Sequence, residues 1–175
     1  MNYGDTTSFT VTPDTGYSID TVEGCGGTLS GNVYTTGAIT ADCEVNATFV
    51  INIYTVMPSA GANGSISPDS PQSVNYGDTT NFTLTPDIGY GIDKVEGCGG
   101  TLNGSTYTTG AIIADCSVTA SFITAYTVTP SAKKHGSITP DTPQQVSEGK
   151  TTSFTVTPKI GYAVKSVSGC GGTLS

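Results

Sequence analysis

Three near-copies of one block run through this chain, and that period constrains its fold before any other property does. Asn2-Tyr3-Gly4-Asp5-Thr6-Thr7 returns as Asn75-Tyr76-Gly77-Asp78-Thr79-Thr80 and, more loosely, as Ser147-Glu148-Gly149-Lys150-Thr151-Thr152, in steps of 73 and 72 residues. Gly24-Cys25-Gly26-Gly27-Thr28-Leu29 matches Gly97-Cys98-Gly99-Gly100-Thr101-Leu102 and Gly169-Cys170-Gly171-Gly172-Thr173-Leu174 at the same steps, which excludes a chance match. Tyr54-Thr55-Val56 and Tyr126-Thr127-Val128 mark where a unit opens, and Ala47-Thr48-Phe49 and Ala120-Ser121-Phe122 mark where one closes. We therefore read a partial repeat over 1–50 that lacks its N-terminal hairpin, a complete repeat of about 72 residues over 51–124, and a partial repeat over 125–175 that lacks its C-terminal strands. Met1 stands in the register of Val74, inside an expected strand, so the expectation is a window cut from a longer array. In the rival arrangement, a head-to-tail polymer, the two partial units complete each other; both carry the stretch from Tyr-Gly-Asp to Cys-Gly-Gly, so joining them would duplicate strands.

Within the complete unit the period is that of a strand. Asn81-Phe82-Thr83-Leu84-Thr85 alternates polar and apolar, putting Phe82 and Leu84 on one face. It stops at Pro86, which forces Thr85 toward extended geometry, and Pro86-Asp87-Ile88-Gly89 supplies turn chemistry before Tyr90-Gly91-Ile92. Ala62-Asn63-Gly64 between Tyr54-Thr55-Val56-Met57 and Ser65-Ile66-Ser67 is a hairpin signal, since both turn residues tolerate positive φ. Further strands are expected at Ser105–Thr108 and Ser117–Phe122, and no segment of ten or more residues shows a 3.6 period. The expected fold class is all-β without significant helix: a tandem array of small antiparallel modules, β-grasp-like or a small sandwich, of six or seven short strands each. Its expected core is Tyr54, Val56, Ile66, Val74, Phe82, Leu84, Tyr90, Ile92, Val95, Val118 and Phe122.

Such a core is thin, because a domain of this size buries only about 60% of its unfolded surface. A covalent staple is therefore expected, and the cysteines supply it. Cys25 and Cys43 lie 18 apart, as do Cys98 and Cys116, while Cys170 occupies the register of Cys25 and Cys98 with its partner position beyond Ser175. We read two structural disulfides, Cys25–Cys43 and Cys98–Cys116, and a Cys170 left unpaired by truncation. The competing reading, zinc or a catalytic thiol, fails on two cysteines per unit, no CxxC and one histidine in the chain. Repeated disulfides imply an oxidising compartment. The expected localisation is extracellular or cell envelope, with any export signal outside this sequence, since Met1 opens directly on Asn2-Tyr3-Gly4-Asp5.

Chemistry is otherwise scarce. His135 is the only imidazole and sits in Lys133-Lys134-His135-Gly136, the counterpart of the Gly61–Gly64 turn, as a solvated turn residue. Asp5, Asp78, Asp14 and Asp87 recur at turns, where Asp bonds its own backbone, and Lys150 and Lys159 replace them in the last unit. No DxDxDG pattern, GxxxxGK or HExxH is present, leaving turn carboxylates as the one weak calcium candidate. A lysine-based isopeptide staple would need a lysine in each unit, and residues 1–50 contain none. Tyr17, Tyr90 and Tyr162 repeat faithfully; a sugar platform competes there with core packing in which the hydroxyl reaches a turn backbone, and we favour packing. We assign no catalytic, cofactor-binding or metal-ligating residue. Six lysines and arginines against fourteen acidic residues, a net charge of −8, leave no basic stripe for nucleic acid, and no apolar run approaches the ~20 residues of a membrane span.

The order Val-x-Tyr-Gly-Asp-Thr-Thr-x-Phe-Thr, Thr-Pro-Asp-x-Gly-Tyr, Val-Glu-Gly-Cys-Gly-Gly-Thr-Leu, Tyr-Thr-Thr-Gly-Ala-Ile and Ala-Asp-Cys-x-Val-x-Ala-x-Phe resembles the divergent internalin-B-type repeat of bacterial surface and secreted proteins, in a cystine-bearing subgroup. The resemblance covers essentially the whole chain. It implies a β-grasp-like or otherwise mostly β module used in strings on exported proteins, often as a spacer, with no catalytic residues to carry over. Glu148 and Lys150 replace Tyr76 and Asp78 in the last unit, which breaks any ligand site common to that corner. The function expected is a non-catalytic stalk or adhesive array whose partners are neighbouring repeats. The alternatives are an adhesin module that binds a glycan or host surface, and a subunit of an extracellular filament.

Overall fold

The computed structural model describes residues 2–174, and within them every regular element is a strand. The first unit holds β1 (Ser8–Thr10), β2 (Tyr17–Gly24), β3 (Thr28–Ser30), β4 (Val33–Thr35) and β5 (Val45–Ile51). The second opens with β6 (Ile53–Ala60), β7 (Gly64–Ser67), β8 (Gln72–Asn75) and β9 (Asn81–Pro86). It continues through β10 (Tyr90–Glu96), β11 (Thr101–Asn103) and β12 (Thr106–Thr108) into β13 (Cys116–Val128), whose far end already belongs to the third unit. β14 (Gly136–Thr139), β15 (Gln144–Ser147) and β16 (Thr155–Pro158) follow.

The complete unit is a two-layer sandwich. One sheet has the order β10-β13-β6-β8 and the other β11-β12-β9-β7. In β9 the alternation is realised as expected: Phe82 and Leu84 are buried while Asn81, Thr83 and Thr85 are exposed. Their inward faces meet Val56 and Val74 from β6 and β8, Ile66 from β7, Tyr107 from β12, and Val118 and Ala120 from β13. All-β modules in series are thus the observed fold, with the sandwich rather than the grasp as its architecture. The unit uses eight strands rather than six or seven, because β8 and the short β11 also pair.

Two expectations about pairing are corrected. Asn63 does take positive φ, 73°, so the Asn63-Gly64 turn forms, yet β6 and β7 are not hairpin partners. β6 pairs with β8 and β13 while β7 pairs with β9, so the turn carries the chain from one layer to the other. The module is also not wholly antiparallel: β6 and β13, its first and last strands, run parallel with Val56 opposite Cys116 and Ala60 opposite Ala120.

The first unit repeats this plan with the same registers. Phe9 stands opposite Tyr34 as Phe82 stands opposite Tyr107, and β2–β5 carries a bulge between Ile19 and Thr21 where β10–β13 has one between Ile92 and Lys94. Residues 2–52 contain no counterparts of β6, β7 and β8. Phe9 is accordingly 46% exposed where Phe82 is 1% exposed.

No linker separates the units. From Phe122 to Tyr126 the spacing is four residues and β13 runs through unbroken, with Ala125 donating its N–H to the Gly89 carbonyl and Thr124 accepting from Glu148 N–H at 2.7 Å. From Phe49 to Tyr54 it is five, and the strand breaks at Asn52. There Asn52 alone does both jobs: its N–H reaches the Gly16 carbonyl and its carbonyl accepts from Tyr76 N–H, each at 2.8 Å. Ser18 adds a side-chain bond to Asn52 Oδ1, and the Tyr76 ring lies so close over Gly16 that a Cβ there would sit 2.2 Å from it.

Candidate functional site

The feature built most elaborately from the sequence is the cystine corner, where the Gly-Cys-Gly-Gly turn meets the Tyr-Thr-Thr-Gly segment. Cys98 is bonded to Cys116, and Cys25 to Cys43, with Cα–Cα separations of 5.6 and 5.4 Å. Each turn residue has its own reason. Gly97 takes φ 113° and lies so close to the Ser117 carbonyl that a Cβ would meet its oxygen at 1.8 Å. Cys98 and Gly99 follow at φ 50° and 60°, the left-handed region in which glycine is favoured and a bulky residue is not. Gly100 is flat against the buried Tyr107 ring, whose carbons would lie 2.6 Å from a Cβ. The first unit repeats all four positions, with Gly24, Cys25 and Gly26 at φ 119°, 48° and 62° and Gly27 against Tyr34.

Tyr107 latches this turn. Its hydroxyl donates to the Gly97 carbonyl at 2.6 Å and accepts from Gly100 N–H at 3.1 Å, and Tyr34 donates to the Gly24 carbonyl at 2.5 Å. Thr109, also buried, accepts from Thr80 N–H through its Oγ1 at 2.9 Å and returns its own N–H to the Thr80 carbonyl. Gly110 N–H then closes on the Cys98 carbonyl at 2.9 Å. Thr36 and Gly37 make the same bonds to Thr7 and Cys25. The corner is a fully hydrogen-bonded structural device. Its glycines accommodate a ring, two carbonyls and a left-handed turn, and they do not cradle a phosphate.

The tyrosine role was thus attached to the wrong set. Tyr17 and Tyr162 are 44% and 53% exposed and Tyr90 is half-buried, while the buried hydroxyls that reach turn carbonyls belong to Tyr34 and Tyr107. The available signal was position: both of the latter sit centrally in a short alternating strand with threonine on either flank or nearby. Ile112 and Ala120 complete the buried core and were likewise not anticipated.

Cys170 is exposed and carries no disulfide, although Gly169, Cys170 and Gly171 keep the turn conformation at φ 131°, 49° and 68°. His135 lies in its turn at φ 77° and is stacked on Tyr162, ring centroids 4.2 Å apart and planes within 2°. The turn aspartates act locally. Asp5 Oδ2 accepts from Asn2 N–H at 2.9 Å, and Asp14 and Asp87 accept through their carbonyls from Tyr17 and Tyr90 N–H. Among the described residues no group of three or more His, Cys, Asp or Glu side chains converges. The depression beside the second disulfide, about 440 Å³, is lined by Cys98, Gly99, Ile112, Ile113 and Cys116, with Asp115 the one charged side chain on its wall.

Charge is divided unevenly. Residues 1–53 hold six acidic side chains and no lysine, net −6; residues 54–125 hold six and Lys94, net −5; residues 126–175 hold Asp141 and Glu148 against five lysines, net +3.

An all-strand unit, closed by its own cystine and copied without linkers, defines a tandem-repeat β module. The chain belongs to the divergent InlB B-repeat domain family, whose model matches residues 1–53, 54–125 and 126–175. No curated protein and no solved structure matches it.

Proposed function

We propose that this chain is a non-catalytic spacer of a bacterial surface or secreted protein, a stalk that holds other domains away from their anchor. The carrying observation is the parallel pairing of β6 with β13. A unit whose first and last strands ran antiparallel would return the chain to its starting end. Here it leaves in the direction in which it entered, and the exit strand is the opening strand of the next unit. Val56 lies level with Cys116, and its counterpart Val128 stands twelve residues further along the same strand. At ~3.3 Å per residue each repeat advances the chain by roughly 40 Å. Stability then accumulates unit by unit and across joints. Two disulfides support an oxidising, extracytoplasmic setting, as does the family.

Small-angle scattering tests the stalk. A compact globule of this length has a radius of gyration of ~16 Å, whereas the extended array should give roughly 25 Å or more. A value near the compact limit sinks the proposal. The adhesin alternative has one observation in its favour, the exposed Tyr17 and the exposed Tyr162–His135 stack. Retention on a glycan array that is lost in Tyr162→Ala would establish it.

A further inference from the structure

We propose that the open edge of β5 seats residues 126–132 of a second copy of this chain as a parallel strand, so that copies join head to tail. The complete unit supplies the template. There β13 is flanked on one side by β10 and on the other by β6, whereas β5, its counterpart, pairs with β2 alone. The strand that would complete β5 has the character of β6, Tyr-Thr-Val-Met-Pro-Ser-Ala, and residues 126–132 read Tyr-Thr-Val-Thr-Pro-Ser-Ala. Within its own chain that second stretch pairs on one side with β15 and has no parallel partner on the other. Tyr126 is 59% exposed there, while its counterpart Tyr54 packs on the core. One surface lacks what the other offers, and an unpaired edge of this kind is a template for strand addition.

The template fixes the register. Carrying over the β6–β13 pairing puts Cys43 opposite Val128, Val45 opposite Pro130 and Ala47 opposite Ala132 of the second copy. In the complete unit the Asp115 carboxylate accepts from Thr55 N–H at 2.8 Å at the start of this pairing, and Asp42 and Thr127 hold the same two positions. Charge points the same way. The accepting end is net −6 without a lysine, with Asp42 and Glu44 beside the edge, and the donated strand runs into Lys133 and Lys134 in a unit of net +3. The second layer is completed only if β1 takes the place of β16 against β14, which exchanges one short pairing for another. β16 is the strand that duplication makes redundant, so it does not block the seat in the β2–β5 sheet. Because the two surfaces differ, the interface is heterologous and open-ended.

Sedimentation of the intact chain, across roughly micromolar to millimolar concentration, tests this. The expected result is a mass that climbs past the dimer in steps of 17.7 kDa and falls in high salt, where screening shortens to ~3 Å. Ala120 accepts from Gly61 N–H across the β6 side, so the Ala47 amide faces the open edge and not β2. Ala47→Pro should therefore abolish association while leaving the β2–β5 ladder and the circular dichroism intact. Should Ala47→Pro misfold, the pair Lys133→Glu and Lys134→Glu should weaken association by about tenfold or more. A chain that stays monomeric throughout overturns the proposal, as does association unchanged in these variants. The stalk is tested separately by scattering from the monomeric Ala47→Pro protein, so either proposal can fail alone.

Discussion

Gly16 and Gly89 occupy the same turn, at φ 85° and 84°, and differ in one thing: a Cβ on Gly16 would lie 2.2 Å from the Tyr76 ring, and a Cβ on Gly89 would meet nothing within 4 Å. Alanine at either position carries the backbone cost of a side chain at positive φ, on the order of 1–2 kcal/mol. Gly16→Ala must in addition displace the tyrosine that bridges the first and second units, an overpacking cost of about 1–3 kcal/mol. The two substitutions should therefore differ by about 1–3 kcal/mol, with Gly16→Ala the worse. Urea denaturation followed by circular dichroism and tyrosine fluorescence measures this, the chain having no Trp. Amide exchange at Asn52, whose N–H rests on the Gly16 carbonyl, gives a local readout and should accelerate. In a Tyr76→Ala background the excess should vanish, since the ring that a new Cβ would strike is gone. Equal costs for Gly16→Ala and Gly89→Ala, or an excess that survives Tyr76→Ala, would refute the claim that the first joint is held by this contact.

Replacing Cys98 and Cys116 together by serine should cost about 3 kcal/mol for a loop of this length, read from the urea midpoint; a loss below about 1 kcal/mol would show that the sandwich needs no staple. Tyr107→Phe strips the Gly97 carbonyl of its buried donor and should cost about 1–3 kcal/mol, whereas Tyr17→Phe should be silent in the same assay. The Glu96 carboxylate accepts a hydrogen bond from Lys94 and raises its pKa above the ordinary value. Any stabilisation is therefore complete below the unfolded lysine pKa and lost as pH rises through the folded one. Because the pair is exposed, Glu96→Gln should leave the midpoint at pH 7 unmoved and alter only the alkaline limb of a pH–stability curve.

What was legible in the sequence was local and repeated. Phe82 and Leu84 announce a strand by alternation, Pro86 announces its end, and the 18-residue spacing shared by Cys25/Cys43 and Cys98/Cys116 announces an equivalent loop. Whether β6 pairs with β7 or with β13 depends on contacts some sixty residues apart, which no turn signal encodes, and so Asn63-Gly64 reads as a hairpin when it is a layer change. The tyrosines divide for a similar reason. Tyr90 and Tyr107 both recur in the first unit, and nothing nearby says which ring will lie under a glycine. That becomes visible only when β12 is placed against the Gly97–Gly100 turn, where the smallness of Gly100 and the bulk of Tyr107 explain each other.

The one-residue difference between the repeat steps carries more meaning than its size suggests. Strand side chains alternate with period two, so an even spacing between Phe122 and Tyr126 lets β13 cross its joint without changing face. The odd spacing between Phe49 and Tyr54 cannot do so, and the pleat is interrupted at Asn52. The chain compensates with specific contacts: Asn52 bonds both neighbours, Ser18 holds its side chain, and Tyr76 covers Gly16. At the second joint Glu148 stands where Tyr76 did and Gly89 is left uncovered, because an unbroken strand already makes the connection. Two mechanically different joints thus arise from one sequence plan. Deleting Ile53, which restores the even spacing, should make the bond network around Asn52 dispensable, whereas inserting a residue after Thr124 should make the second joint need one.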